Sequence, residues 1–151
     1  MTGPDGKIYT AGGYQSDGGV SDAFEAFDTT TQTWTVLPNL PTPRAGPVAA
    51  VGDDGVVYVI GGMQWTACCC GGTCGNVWLN TVEGFDPTTG AWGTGVSMPT
   101  ARALLGAATG SDGRIYAVEG TSGIAGAICG VAYLAGTSAV EAYSASSFRW
   151  W

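Results

Sequence analysis

"GPDGKIYTAGG" (3–13), "GDDGVVYVIGG" (52–62) and "GSDGRIYAVEG" (110–120) are three copies of one phrase. Each carries Asp-Gly, a pair that favours a tight hairpin because glycine accepts the backbone angles the turn demands. A short run of β-branched and aromatic residues follows, which reads as a strand. A second phrase recurs as "AFEAFDTTTQTW" (23–34), "TVEGFDPTTGAW" (81–92) and "AVEAYSASSFRW" (139–150), with seven positions from aromatic to tryptophan each time. A third, "LPTPRAGPVAAV" (40–51) and "MPTARALLGAAT" (98–109), begins the next unit. Each unit thus offers four short strands between turn residues, and no segment has a helical period. The fold class is all-β.

The pattern resembles the kelch repeat over nearly the whole chain. The resemblance rests on the pairs Gly12-Gly13 and Gly61-Gly62, on Tyr9, Tyr58 and Tyr116 before them, and on the aromatic–tryptophan spacing. Glu119-Gly120 departs from it in the third unit. The resemblance implies four-stranded antiparallel blades of a β-propeller, and the unit length near 50 residues agrees. Blade one is expected at about 1–45, blade two at about 46–103 and blade three at about 104–151, as a single propeller segment. Met1 aligns with Ala50 and Trp150 with Trp34, so the chain amounts to three blades less one strand-to-strand passage, with the outer blades incomplete. A ring needs at least about four blades. The expectation is a segment of a longer chain; the alternatives are closure by self-association and a partial sheet that stands alone. Open blade edges expose unpaired N–H and C=O groups, which invite pairing.

The formal net charge is −7, and the five basic residues, Lys7, Arg44, Arg102, Arg114 and Arg149, are scattered. Nucleic acid and anionic membranes both require clustered positive charge, so neither is an expected partner. No apolar run approaches the ~20 residues of a membrane span, and the N-terminus has no apolar signal core.

"CCCGGTC" (68–74) places Cys68, Cys69, Cys70 and Cys74 within the second-to-third-strand connection of blade two. Cys129 lies in the matching connection of blade three, and both connections are longer than that of blade one. A structural zinc site shows separated Cys-x-x-Cys knuckles or Cys/His pairs, and a redox pair belongs near a βαβ unit. Neither pattern is present, and no metal or cofactor is expected. Disulfides suit glycine-rich, polar insertions that bury little core. Direct neighbours are poor partners because their Cα atoms lie only about 3.8 Å apart. Disulfides among the five cysteines are the favoured reading, with free thiols and a metal site the alternatives. They commit the chain to an extracellular or cell-surface location.

Kelch-type propellers include copper oxidases similar to galactose oxidase, whose metal site needs histidines. This chain has none, and a serine or cysteine nucleophile would lack its usual base. Asp5, Asp54, Asp112, Asp28 and Asp86 read as turn residues; Glu25, Glu83 and Glu141 recur in register as structural residues. Glu119 replaces a repeat glycine. Trp34, Trp92 and Trp150 read as blade core. Trp65, Trp78 and neighbouring Gln64 flank the cysteines and are binding candidates, since exposed tryptophan is a common anchor; a small loop core is the competing reading for the tryptophans. Arg44 and Arg102 share one repeat position, with a structural hydrogen-bonding role favoured over ligand contact.

The expected function is a non-catalytic binding or scaffolding module that meets a protein or glycan through these insertion loops. The alternatives are a self-assembling subunit of an extracellular ring or filament, and part of a larger kelch-type enzyme.

Overall fold

The computed structural model describes residues 1–65, 76–128, 131–147 and 149–150. Blade one is a three-stranded antiparallel sheet of β1 (Ile8–Ala11), β2 (Phe24–Asp28) and β3 (Thr33–Val36). Blade two is laid out as β4 (Val48–Val51) and β5 (Val57–Ile60), then a hairpin of β6 (Met63–Trp65) and β7 (Asn76–Trp78), then β8 (Val82–Asp86) and β9 (Ala91–Thr94). Its sheet order is β4-β5-β8-β9. Blade three repeats the plan with β10 (Gly106–Thr109), β11 (Ile115–Val118), a hairpin of β12 (Thr121–Ile128) and β13 (Val131–Gly136), β14 (Val140–Ser144) and β15 (Arg149–Trp150). Among the described residues there is no helix. The expected depletion holds for blade one, whose first strand shrinks to a bridge between Thr2 and Ile8. Blade three differs: it keeps all four strands, the last of them short.

The Asp-Gly turns are built alike. Asp5, Asp54 and Asp112 accept from the backbone N–H two residues on, and their second oxygens accept the hydroxyls of Tyr9, Tyr58 and Tyr116 at 3.0, 2.7 and 2.9 Å. Each tyrosine therefore ties its strand to its own turn. Asp28 accepts from the N–H groups of Thr30 and Thr31, and Asp86 from that of Thr88, closing the β2–β3 and β8–β9 turns.

The core lies between blades. Tyr9, Phe24 and Ala26 of blade one meet Val57, Val59 and Phe85 of blade two. Tyr58 and Val82 of blade two meet Ile115, Ala117 and Tyr143 of blade three. One face of each sheet thus buries against the next blade, which is why a blade gains stability from neighbours rather than alone.

Gly12 and Gly61 explain the paired glycines. Both have positive φ, 63° and 64°. A Cβ on either would come within 2.2 or 2.4 Å of the backbone oxygen of Arg44 or Arg102. That oxygen accepts from the second glycine, Gly13 or Gly62, at 2.9 Å.

The repeating tryptophans are not equivalent. Trp92 donates from Nε1 to the carbonyl of Pro38 at 2.9 Å, and Trp150 to that of Val96 at 2.8 Å. Each reaches back to the linker leaving the previous blade. Trp34 was expected in the blade core with them, but is 57% exposed. The difference has a simple cause: among the described residues, Trp92 and Trp150 have the linker of a preceding blade to donate to and Trp34 does not.

Candidate functional site

Antiparallel strands send the second-to-third and fourth-to-first connections to one face. Here that face is a woven platform. In the short connection of blade one, Tyr14 pairs with Val20, and the Tyr14 hydroxyl donates to Met63 Sδ at 3.6 Å. Met63 opens the β6–β7 hairpin, facing Trp78, and exchanges two 2.9 Å backbone hydrogen bonds with Ala45 of the first linker. Trp78 donates from Nε1 to Thr121 Oγ1 at 3.5 Å, which joins the two inserted hairpins at their bases. Thr121 exchanges backbone bonds of 2.9 and 2.8 Å with Ala103 of the second linker. Ala45, Met63 and Ala103 are buried beneath, with Val20 and Trp78 packed on them.

The described parts of the insertions of blades two and three therefore lie side by side, and these parts are paired strands. Trp78 is a half-buried part of this small core, not a tip anchor. Gln64 donates to the Pro43 carbonyl at 2.9 Å, bracing β6 on the first linker. Trp65 ends β6 and pairs with Asn76. Cys68, Cys69, Cys70, Cys74 and Cys129 lie outside the described residues.

Arg44 and Arg102 are wholly buried. Arg44 donates to the carbonyls of Thr42 and Gly61 at 3.0 and 2.8 Å and pairs with Glu83 at 2.7 Å. Thr42 also donates to the Glu83 carboxylate. Arg102 donates to Ala139 and Ala117 at 2.7 and 3.1 Å and pairs with Glu141 at 2.9 Å. Burial pulls the Arg44 guanidinium below its ordinary range, and Glu83 opposes that pull. With no atom on the surface, neither arginine can meet a ligand, and of the two readings only the structural one fits. Backbone N–H groups hold each arginine on one blade while its side chain enters the next.

What the surface of this face does present are Tyr14, 56% exposed, Val77, 43%, Leu104, 55%, and Leu134, 41%. None was singled out from the sequence. Leu104 was detectable: it stands where the first linker has Gly46, and both have positive φ, 54° and 59°. Its N–H donates to the Gly46 carbonyl at 2.8 Å. A leucine held in that conformation costs about 1–2 kcal/mol, and glycine would serve the backbone better.

On the opposite, turn-bearing face is a cleft of about 340 Å³, lined among others by Asp54, Tyr58, Gly84, Asp86, Trp92 and Tyr143. Backbone and hydroxyl donors from Thr88 and Thr89 hold the Asp86 carboxyl below the usual range. Gly84 stands where the other blades have Ala26 and Ala142. Among the described residues, no three His, Cys, Asp or Glu side chains are grouped to hold a metal ion.

These antiparallel sheets, two of them four-stranded, with their inter-blade arginines, are blades of a β-propeller. The kelch motif model matches residues 1–41. The chain is 36% identical over 107 residues to Kelch-like protein terF of Aspergillus terreus, covering 70% of this chain and 21% of that protein. It is 33% identical over 116 residues to Kelch-like ECH-associated protein 1B of Danio rerio, covering 77% and 18%. It is 29% identical over 105 residues to beta-scruin of Limulus polyphemus, covering 70% and 11%. The chain belongs to the kelch-repeat family. It spans about a fifth or less of the length of these relatives. The solved structure of YjhT superimposes with a TM-score of 0.71 at 15% identity, over 96% of this chain and 42% of that one. That likeness concerns the fold.

Proposed function

We propose that these blades form a non-catalytic binding module that recognises a protein partner through the loop face. The observation that carries this reading is the platform itself: three connections and two linkers cross-braced over a buried Ala45–Met63–Ala103 core, presenting Tyr14, Val77 and Leu134. Exposed aromatic and aliphatic groups on a rigid base lose little entropy on binding and bury apolar area. Protein ligands are favoured over glycans because the large exposed side chains of this face include Tyr14, Val77, Leu104 and Leu134.

The test compares two variants with the parent chain against an arrayed panel of proteins and glycans. Tyr14→Ala/Val77→Ser/Leu134→Ser should weaken a captured protein ligand by at least about tenfold; Asp86→Ala/Thr89→Ala, on the cleft face, should not. Loss with the cleft variant alone would move the site to the other face. Capture of glycans alone would replace the protein reading.

Disulfides in the hairpin stretch, and with them an extracellular or cell-surface location, belong to the same proposal. Their support is the spacing of the cysteines in the sequence. Alkylation of all five thiols without reductant, read by intact mass, would remove both.

A further inference from the structure

The cleft on the turn face takes its room from a row of missing side chains. In blade one, Tyr9, Ala26 and Thr35 lie abreast across three strands. In blade two the same row reads Tyr58, Gly84 and Gly93. Paired positions share a sheet face, so two bare glycines leave Tyr58 beside a cleft of about 340 Å³. The two glycines are not alike. A Cβ on Gly84 would press on Val56 and on the Tyr58 ring at 2.9 and 3.2 Å, whereas one on Gly93 would meet nothing within 4 Å. Packing accounts for Gly84 and leaves Gly93 unexplained.

Blade three supplies the far wall, and with it an unmatched hydrogen-bond donor. Tyr143 is wholly buried, its ring edge-on to that of Tyr58 with centroids 5.3 Å apart. Its hydroxyl lies against Gly95 on the cleft lining and makes no hydrogen bond of normal geometry. The Val96 backbone and the Tyr58 hydroxyl approach it without completing a bond, and Tyr58 already donates to Asp54. A buried hydroxyl left in this way calls for an acceptor from elsewhere.

The mouth is acidic. Asp54 and Asp86 stand there, each of their oxygens holding one backbone or hydroxyl donor. A carboxylate offers about four acceptor positions, so half of each remains open. Among the described residues neither carboxylate has an ion pair. Both also border a second hollow with Asp5, and no described lysine or arginine lines either space.

We propose that this cleft is a ligand site for a small organic cation: a primary ammonium compound with a compact apolar body and an ether or carbonyl oxygen. The ammonium meets Asp54 and Asp86, the body fills the space over Gly93 beside Tyr58, and the oxygen accepts from the Tyr143 hydroxyl. Charge-assisted hydrogen bonds favour the ammonium over a neutral polyol, which would leave both carboxylates without a counter-charge. The site lies on the face opposite the loop platform and is independent of the protein-binding reading.

The probe is 3-methoxybenzylamine, titrated into the full chain by calorimetry and followed through the amide resonances of Gly93 and Gly95. Its neutral counterpart, 3-methoxybenzyl alcohol, should bind at least about tenfold more weakly, and Asp86→Asn should weaken the amine to a similar degree. Gly93→Val fills the open space and should abolish binding; should it not fold, Gly93→Thr, the residue blade one carries at this register, takes its place. Tyr143→Phe should weaken the amine about fivefold while leaving the denaturation midpoint unchanged or higher, because the lost hydroxyl strands no partner. A purely structural tyrosine would lower the midpoint and leave the affinity alone, and that result would overturn the role of Tyr143. Equal binding of amine and alcohol, or of parent and filled cleft, overturns the proposal, as does an amine that moves neither glycine at millimolar concentration. Methyl glucoside binding more tightly than the amine would assign the cleft to neutral polyols instead.

Discussion

Arg44 is held by its backbone on blade one and pairs with Glu83 of blade two at 2.7 Å, with 0% and 6% of the two side chains exposed. Desolvating two charges is expensive, so such a pair adds little over an apolar contact, but losing one member strands the other. Arg44→Ala should cost about 3–5 kcal/mol. Replacing both, as Arg44→Met with Glu83→Leu, should recover most of that. Equilibrium denaturation of the three variants checks the order.

A second prediction separates Gly61 from Glu119, which share a repeat position and a φ of 64° and 56°. Gly61→Ala drives a Cβ to 2.4 Å from the Arg102 oxygen and must open that interface; about 2 kcal/mol or more is expected. Glu119→Gly should instead be neutral or stabilising by up to about 1 kcal/mol, because it only relieves a left-handed glutamate. Destabilisation by Glu119→Gly would show that the side chain itself has a role in this chain.

The sequence made the strands, the turns and the blade plan legible, because each rests on local chemistry: Asp-Gly pairs, β-branched runs and a fixed aromatic interval. The role of Arg44 and Arg102 was legible only in part. A shared repeat position says that an arginine is needed there, not that it leaves one blade to enter another. Trp34 was misjudged for the same reason. Register equates it with Trp92, but burial depends on a neighbouring blade, and three aligned phrases say nothing of which blade stands beside which. The hairpin platform escaped because Met63, Trp78 and Thr121 lie outside the repeated phrases and meet only in space. Tyr14 and Leu134 had no sequence signal of their own.

Trp92 and Trp34 therefore make a matched pair for a third prediction. Trp92→Phe loses the hydrogen bond to Pro38 and part of the contact with Phe24, whose ring lies 4.8 Å away. A cost of about 1–2 kcal/mol is expected. Trp34→Phe should stay within about 0.5 kcal/mol of the parent, as exposed substitutions usually do. Chemical denaturation of both reads the difference, and equal costs would mean that Trp34 is covered in solution.

The fourth prediction concerns alkaline pH. Burial, then the hydrogen bond to Asp5 and its charge, push the Tyr9 hydroxyl up to about 12. Burial, then Asp54, push Tyr58 upward as well, and burial raises Tyr143. In the unfolded chain all three ionise near pH 10, at about the ordinary tyrosine value. Between that pH and about 12, the folded state therefore holds protons that the unfolded state has released. Stability should be full below about pH 10 and fall as pH climbs through the window, because the folded state binds more protons there. Denaturation midpoints across the window, with tyrosinate absorbance followed alongside, measure the fall. Tyr58→Phe should lower stability at neutral pH by removing the hydroxyl bonded to Asp54 at 2.7 Å, yet flatten the alkaline decline. A decline of unchanged steepness in Tyr9→Phe/Tyr58→Phe would show that other groups govern the alkaline limit.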